Sequence, residues 1–224
     1  MLSSLPVAAQ ESTKAETGLG NFGVGMTLIA TAAILLTLLM FRGSASRIAR
    51  TVVEKLGKRR IRKVLRAKSP DVLEDFILPG AYGGLTHIDF AILTSGGILC
   101  LRTIHCNGIV FGAADEPQWT NVDSVRRRRF LNPLIQNDGR TRALQKIVPN
   151  VPVANLVVFT GNVQFTTPPA KNVIPVNRLA SYIAKFVFGP CKIKDWDAVW
   201  LTVKSAALTD AETRKDFRAQ LSFS

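Results

Sequence analysis

The sequence predicts one α/β domain carried behind a single transmembrane helix. Three observations predict it. No charged residue lies between Thr17 and Phe41, and Phe22 to Phe41 is almost continuously apolar. Residues 42–68 then hold 11 Lys and Arg against Glu54 alone. From residue 71 onward, short apolar runs that suit strands alternate with helical patterns and with Gly- and Pro-marked turns. A chain of 224 residues can build one domain of ordinary size plus an appendage, not two large domains. Its 47% hydrophobic and 20% charged content excludes a disordered chain and a coiled coil. The net charge of +13 is concentrated in the stretch after the apolar run. The chain is thus a basic collar beside an apolar segment, and not a uniformly basic nucleic-acid binder.

Residues 1–21 read as a short extracytoplasmic N-terminus and 22–41 as the transmembrane helix. As a helix this segment is about 30 Å long, the thickness of the hydrocarbon core. A cleaved signal peptide is the rival reading, with Gly43-Ser44-Ala45-Ser46 as its cleavage region. It requires a basic stretch directly before the apolar run, and none is present. Cations crowd the C-terminal flank, so the positive-inside rule places the N-terminus outside and the remainder in the cytoplasm, as a single-pass protein of the inner (cytoplasmic) membrane.

Residues 42–69 are expected to be a basic juxtamembrane helix, since Ile48, Val52, Val53, Leu56, Ile61, Val64 and Leu65 recur at helical spacings. One stripe would pack on the domain while the cations face solvent or anionic lipid headgroups. Alternatively Lys58, Arg59, Arg60, Arg62 and Lys63 track a nucleic-acid backbone. Ser69-Pro70 marks the start of the cytoplasmic domain, 70–224. Two strands, His87–Thr94 and Ile98–Ile104, flank a tight turn, and Gly108–Gly112 is a short third. Leu131–Val148 is helical, with Asn132 as N-cap and Pro133 in first position. Ala154–Thr160 is a buried strand, and Asn172–Val176, with Pro175, an edge strand. Helices follow at Asn177–Phe188 and Asp195–Ala207, and Thr209-x-x-Glu212 forms a capping box for the last.

The run Leu78-Pro-Gly-Ala-Tyr-Gly-Gly-Leu-Thr-His-Ile-Asp-Phe-Ala-Ile-Leu-Thr94 leads to Gly96-Gly97-Ile98-Leu99-Cys100-Leu101. Then come Asn107-Gly108-Ile109-Val110-Phe111-Gly112, Trp119 and Asn132-Pro133-Leu134-Ile135-Gln136-Asn137. In this order the pieces resemble the NERD (nuclease-related) domain over roughly residues 57–180. The resemblance implies a restriction-endonuclease-like mixed sheet flanked by helices, and a bacterial source. It also implies metal-assisted phosphodiester hydrolysis: carboxylates on two adjacent strands hold Mg²⁺, and a Lys two residues beyond the second activates water.

Of those positions, only the first-strand carboxylate is kept, as Asp89. Arg102 replaces the expected Glu and Ile104 the expected Lys, and the helical Glu that often assists falls near Ile61. A guanidinium repels a divalent cation, so Arg102 is expected to pair with Asp89 across the two strands. The site is therefore expected to be catalytically inactive and to need no cofactor. Mg²⁺ enters only if a divergent nuclease uses Asp89 with other ligands, for which Asp115, Glu116, Asp123 and Gln136 are the candidates. Their ordinary reading is a solvated loop and a helix cap.

Arg126, Arg127, Arg128 and Arg129 form a second basic run just before Asn132, either a solvated loop or a phosphate clamp near a helix N-terminus. Cys100, His105, Cys106 and Cys191 lack the paired spacing of a zinc site, and an odd number of cytoplasmic cysteines implies reduced thiols. The expected function is a membrane-anchored, inactive nuclease-like module that binds DNA or a nucleic-acid-handling complex. A divergent Mg²⁺-dependent DNA nuclease and a membrane-tethered scaffold without nucleic-acid contact are the alternatives.

Overall fold

The computed structural model describes Thr31, residues 51–187, residue 191 and residues 193–222. The chain divides into two compact units, Met1–Val52 and Val53–Ser224, and the second holds both sheets and the core. Apart from Thr31, the expected membrane segment 22–41 lies outside the described residues. Among the described residues no helix is long and apolar enough to cross a membrane.

Helix α1 is described over residues 51–66. Strands β1 (Val72–Pro79), β2 (Leu85–Thr94) and β3 (Gly97–Ile104) form an antiparallel meander. The β2–β3 turn is tight, with Thr94 opposite Gly97. Strands β4 (Gly108–Phe111), β5 (Gln118–Val122) and β6 (Arg127–Leu131) precede helix α2 (Pro133–Ile147), which leads to β7 (Val153–Phe159). Then come β8 (Val163–Phe165), β9 (Val173–Pro175), a 3₁₀ turn at Val176–Arg178, and helices α3 (Leu179–Val187), α4 (Trp196–Ala206) and α5 (Ala211–Ser222). The main sheet has the order β1-β2-β3-β7-β9, with β7 parallel to both β3 and β9. Strand β9 lies at its edge, where a Pro removes no ladder bond that the sheet needs.

Both faces of this sheet are covered, so its strands are apolar on both sides rather than alternating. On one face Ala91, Leu93, Ile98 and Cys100 pack with Leu144 of α2 and with Trp200 and Val203 of α4. On the other, Phe90, Ile92, Leu99 and Leu101 pack with Ile61 and Leu65 of α1 and with Leu179 and Ile183 of α3. Asn132 caps α2 as its sequence suggests, accepting from Leu134 N at 2.9 Å. Asn137, fully buried, donates to Cys100 O at 3.0 Å and to Asn155 Oδ1 at 2.8 Å, which ties α2 to β3 and β7.

Four expectations change. First, the basic helix packs one stripe on the sheet as expected, but it belongs to the domain instead of preceding it. The compact unit begins at Val53, well before Ser69-Pro70, because Ile61 and Leu65 are wholly buried under the sheet. Each such burial stabilises by about 1.5–3 kcal/mol. Second, there are two sheets. A four-stranded sheet of order β6-β5-β4-β8 packs on β7 and β9 of the main sheet through a third core, where Trp119 stacks on Phe159 at 6.4 Å. Third, Arg127, Arg128 and Arg129 belong to strand β6, at the edge of that sheet, and not to a loop. Fourth, α5 is capped by Asp210, which accepts from Thr213 N at 2.8 Å, in place of Thr209.

Candidate functional site

Asp89 is reached from three elements. It lies on β2, one position before the residue of the rung that pairs Phe90 with Leu101 of β3. That register sets Arg102 and Thr103 beside it. Helix α1 approaches from the sheet face, where positions 54, 58, 61 and 65 share one side of the helix. Ile61 and Leu65 fill the core, and the same side carries Lys58 and Glu54 onward past the sheet. The approach is close: a Cβ on Gly57 would stand 2.8 Å from Thr160 Cβ. Together Glu54, Lys58, Asp89, Arg102, Thr103, His105 and Thr160 line a cleft of about 210 Å³.

Asp89 is 3% exposed, and both of its oxygens are engaged. Oδ2 accepts from Thr103 N at 2.8 Å, from Thr103 Oγ1 at 3.0 Å and from Arg102 Nη1 at 3.4 Å. Oδ1 lies 3.6 Å from Lys58 Nζ and 3.6 Å from His87 Nδ1. Burial by itself would raise the pKa of this carboxyl. Arg102, then Lys58, the Thr103 amide and His87 together outweigh burial and hold it below its ordinary value, so Asp89 is an anion at neutral pH. The Arg102–Asp89 pair expected from the sequence is present. Lys58, expected on a nucleic-acid path, enters the same cleft. Arg102 Nε is buried with no hydrogen-bond partner, so this guanidinium is held at some cost.

A second ring of groups braces the first. Arg140 on α2 donates through Nε to His87 O at 2.7 Å and through Nη1 to Gln136 O at 2.6 Å. Burial and the neighbouring Arg102 both depress its pKa. His87 Nε2 lies 2.7 Å from Asp75 Oδ1, and Phe217 of α5 stacks on the ring at 5.9 Å. Asp75 takes a positive φ of 55°, an uncommon conformation that an Asp tolerates better than most residues. It also accepts from Arg214 Nη1 at 2.9 Å, which fastens α5 to β1.

The other sequence candidates fall elsewhere. Ile104 extends from β3 toward the core of the small sheet. The assisting carboxylate expected near Ile61 is not there, since Ile61 is core. Glu54, two helical turns earlier, is the α1 carboxylate that lines the cleft. Sequence reasoning missed it, although its seven-residue separation from Ile61 is the signal that places both on one helix face. Gln136 and Asp115 are exposed, and Glu116 accepts from Ala113 N in its own loop. Asp123 Oδ1 caps a turn by accepting from Val125 N and Arg126 N, both at 2.8 Å. Cys100 and Cys106 are buried in different cores, and burial pushes their thiols up to about 12 and about 11. Among the described residues no group of three or more His, Cys, Asp or Glu could hold a metal ion.

Glu54 and Thr160, which border the cleft, are also the limits of a family match. The family model of the nuclease-related domain (NERD) matches residues 54–160, so a nuclease-related domain is present in this chain. An uncharacterized protein of Bacillus anthracis is 28% identical over 107 residues, which are 47% of this chain and 50% of that protein. The chain thus spans about half the length of the curated relative it matches. No solved structure matches it. The mixed sheet with helices on both faces fits the restriction-endonuclease-like class that the sequence predicts.

Proposed function

We propose that this nuclease-related domain binds nucleic acid without hydrolysing it, and that a single N-terminal helix anchors it to the inner membrane with the domain in the cytoplasm. One observation carries the loss of chemistry: Asp89, where the resemblance expects a metal ligand, has its oxygens occupied by Thr103, Arg102 and Lys58. A divalent cation there would have to displace two unit positive charges and gain no second strand carboxylate. The same cations suit a phosphate. Arg102 reaches Asp89 through one nitrogen at 3.4 Å, long for a charge-assisted bond, which leaves donors over for a phosphate oxygen. At Thr160 the cleft adjoins a polar cavity of about 390 Å³ lined by Arg60, Asn162 and Asn177, and the two form a path for a phosphate backbone. Anchoring is supported by the apolar run Phe22–Phe41 and the cations that follow it.

A second reading, a divergent Mg²⁺-dependent nuclease, gains from Glu54, which brings another carboxylate to the cleft of Asp89. A scaffold that touches no nucleic acid is the third. Residues 51–224, incubated with labelled duplex and single-stranded DNA in Mg²⁺, separate all three. The expected result is intact DNA in a retarded band whose affinity falls steeply with salt. Cleavage that Asp89→Ala abolishes would establish the nuclease, and free intact DNA the scaffold.

A further inference from the structure

The helices over one face of the main sheet are charged unlike the rest of the domain. Residues 51–68 hold eight Lys and Arg against Glu54, and residues 171–187 hold Lys171, Arg178 and Lys185 with no acid. Residues 195–222, which contain α4 and α5, carry four cations and five anions. Helices α1 and α3 share this face through one core, and Arg60 of α1 lines a single cavity with Val176 and Asn177 of the 3₁₀ turn that leads into α3. The basic layer is therefore continuous.

Each helix carries a groove in this layer. That on α1, about 550 Å³, is lined by Leu56 and five cations, of which Arg62 already pairs with Glu74. That on α3, about 590 Å³, is lined by Lys171, Arg178, Lys185, Tyr182 and Phe186 among others. No carboxylate lines either among the described residues. On α3, Leu179 and Ile183 are buried under the helix, and Arg178, Tyr182 and Lys185 follow one another at i, i+4 and i+7 on another side. The rings of Tyr182 and Phe186 stand 5.4 Å apart in the groove. Cations interleaved with aromatic and aliphatic side chains are the composition of a face that lies in a membrane interface.

We infer that the α1–α3 layer is a docking face for an anionic bilayer surface, with the α3 groove as a site for phosphate-bearing lipid headgroups. The inference rests on the membrane anchoring proposed above. Only nine residues lie between Phe41 and residue 51, at most about 36 Å of extended chain, so a bilayer spanned by the apolar segment would be within reach of α1. Exposed Val53 and Leu56 stand among the α1 cations, where a phosphate backbone would give them nothing to contact. Lys58, Arg102 and Asp89 lie in a separate cleft, and Arg60 is the residue that borders both the α1 groove and the cavity continuing the nucleic-acid path.

The test uses the full chain with Cys191→Ser and an environment-sensitive fluorophore on Ser181→Cys, an exposed position in the α3 groove. The protein is placed in nanodiscs of phosphatidylcholine alone or mixed with phosphatidylglycerol. The expected result is a blue shift in the anionic discs only, reversed by salt and lost in the Lys171→Glu/Arg178→Glu/Lys185→Glu variant. These three side chains are exposed, and an unchanged thermal unfolding midpoint verifies that the variant folds. No shift in anionic discs, or a shift that survives charge reversal, overturns the inference. A shift produced by duplex DNA in neutral discs also overturns it, and assigns the face to nucleic acid. Co-elution of the chain with neutral discs reports anchoring separately. If the chain fails to co-elute, the anchor reading falls, while the shift with anionic vesicles still decides for or against the face.

Discussion

Asp89, on the proposed reading a former metal ligand, is held by salt bridges from two elements, β3 and α1. Arg102 stands where the resemblance expects Glu, and Lys58 lies across the cleft from it. Asp89→Ala leaves the Thr103 amide and hydroxyl without their acceptor while the partly exposed Arg102 and Lys58 regain water, so it is expected to destabilise the domain by about 1–3 kcal/mol, read from urea unfolding. The pH dependence follows from the direction of the shift. The folded pKa of Asp89 lies below the ordinary 3.8, so its contribution is complete above that value and is lost as pH falls through the folded pKa. Unfolding midpoints of the protein and of Asp89→Asn should thus differ most near neutrality and converge below about pH 4. A difference that grew on acidification would mean that the carboxylate is not held by cations. Asp89 and Arg102 are legible as a pair in the sequence because antiparallel neighbours set opposite residues in contact. Thr103 is not, since its amide and hydroxyl reach Asp89 through backbone geometry that no residue pattern encodes.

Helix α1 shows what charge conceals at the level of an element. Its cations invite a juxtamembrane reading, yet Ile61 and Leu65 make it one wall of the core. Ile61→Ala should cost about 2–5 kcal/mol by circular dichroism in denaturant, and a fragment that begins at residue 69 should lack a cooperative transition. A fragment that unfolds cooperatively without α1 would return the helix to the role of a collar. The strands with clean apolar runs, β2, β3 and β7, and the Asn132-Pro133 start of α2 are legible in the sequence. Strand β6 is not, because three successive arginines have no alternation and the strand is specified by its partner, with Thr120 opposite Arg129. In the same sheet Gly112 lies against the Trp119 ring, 2.3 Å from where a Cβ would stand. Gly112→Ala should lower stability by about 1–3 kcal/mol, measured by thermal unfolding.

Across the whole molecule, the basic residues divide by face. On the proposed readings, Lys58 and Arg102 serve the cleft, and the outward cations of α1 and α3 serve a lipid surface. The division predicts unequal effects on affinity for DNA, measured with residues 51–224 by fluorescence anisotropy at several salt concentrations. Lys58→Glu should weaken binding about tenfold or more and flatten the salt slope by about one ion, whereas Lys185→Glu should change neither appreciably. Equal effects would merge the two faces into one nucleic-acid surface. The proposed loss of chemistry rests on cations standing where a metal would bind Asp89, and it is best tested by calorimetric titration of Mg²⁺ and Mn²⁺ into the same domain. No saturable heat is expected with either ion. Saturable binding that disappears in Asp89→Asn would contradict that loss, and would make Glu54 and Asp89 the ligands of a working metal site.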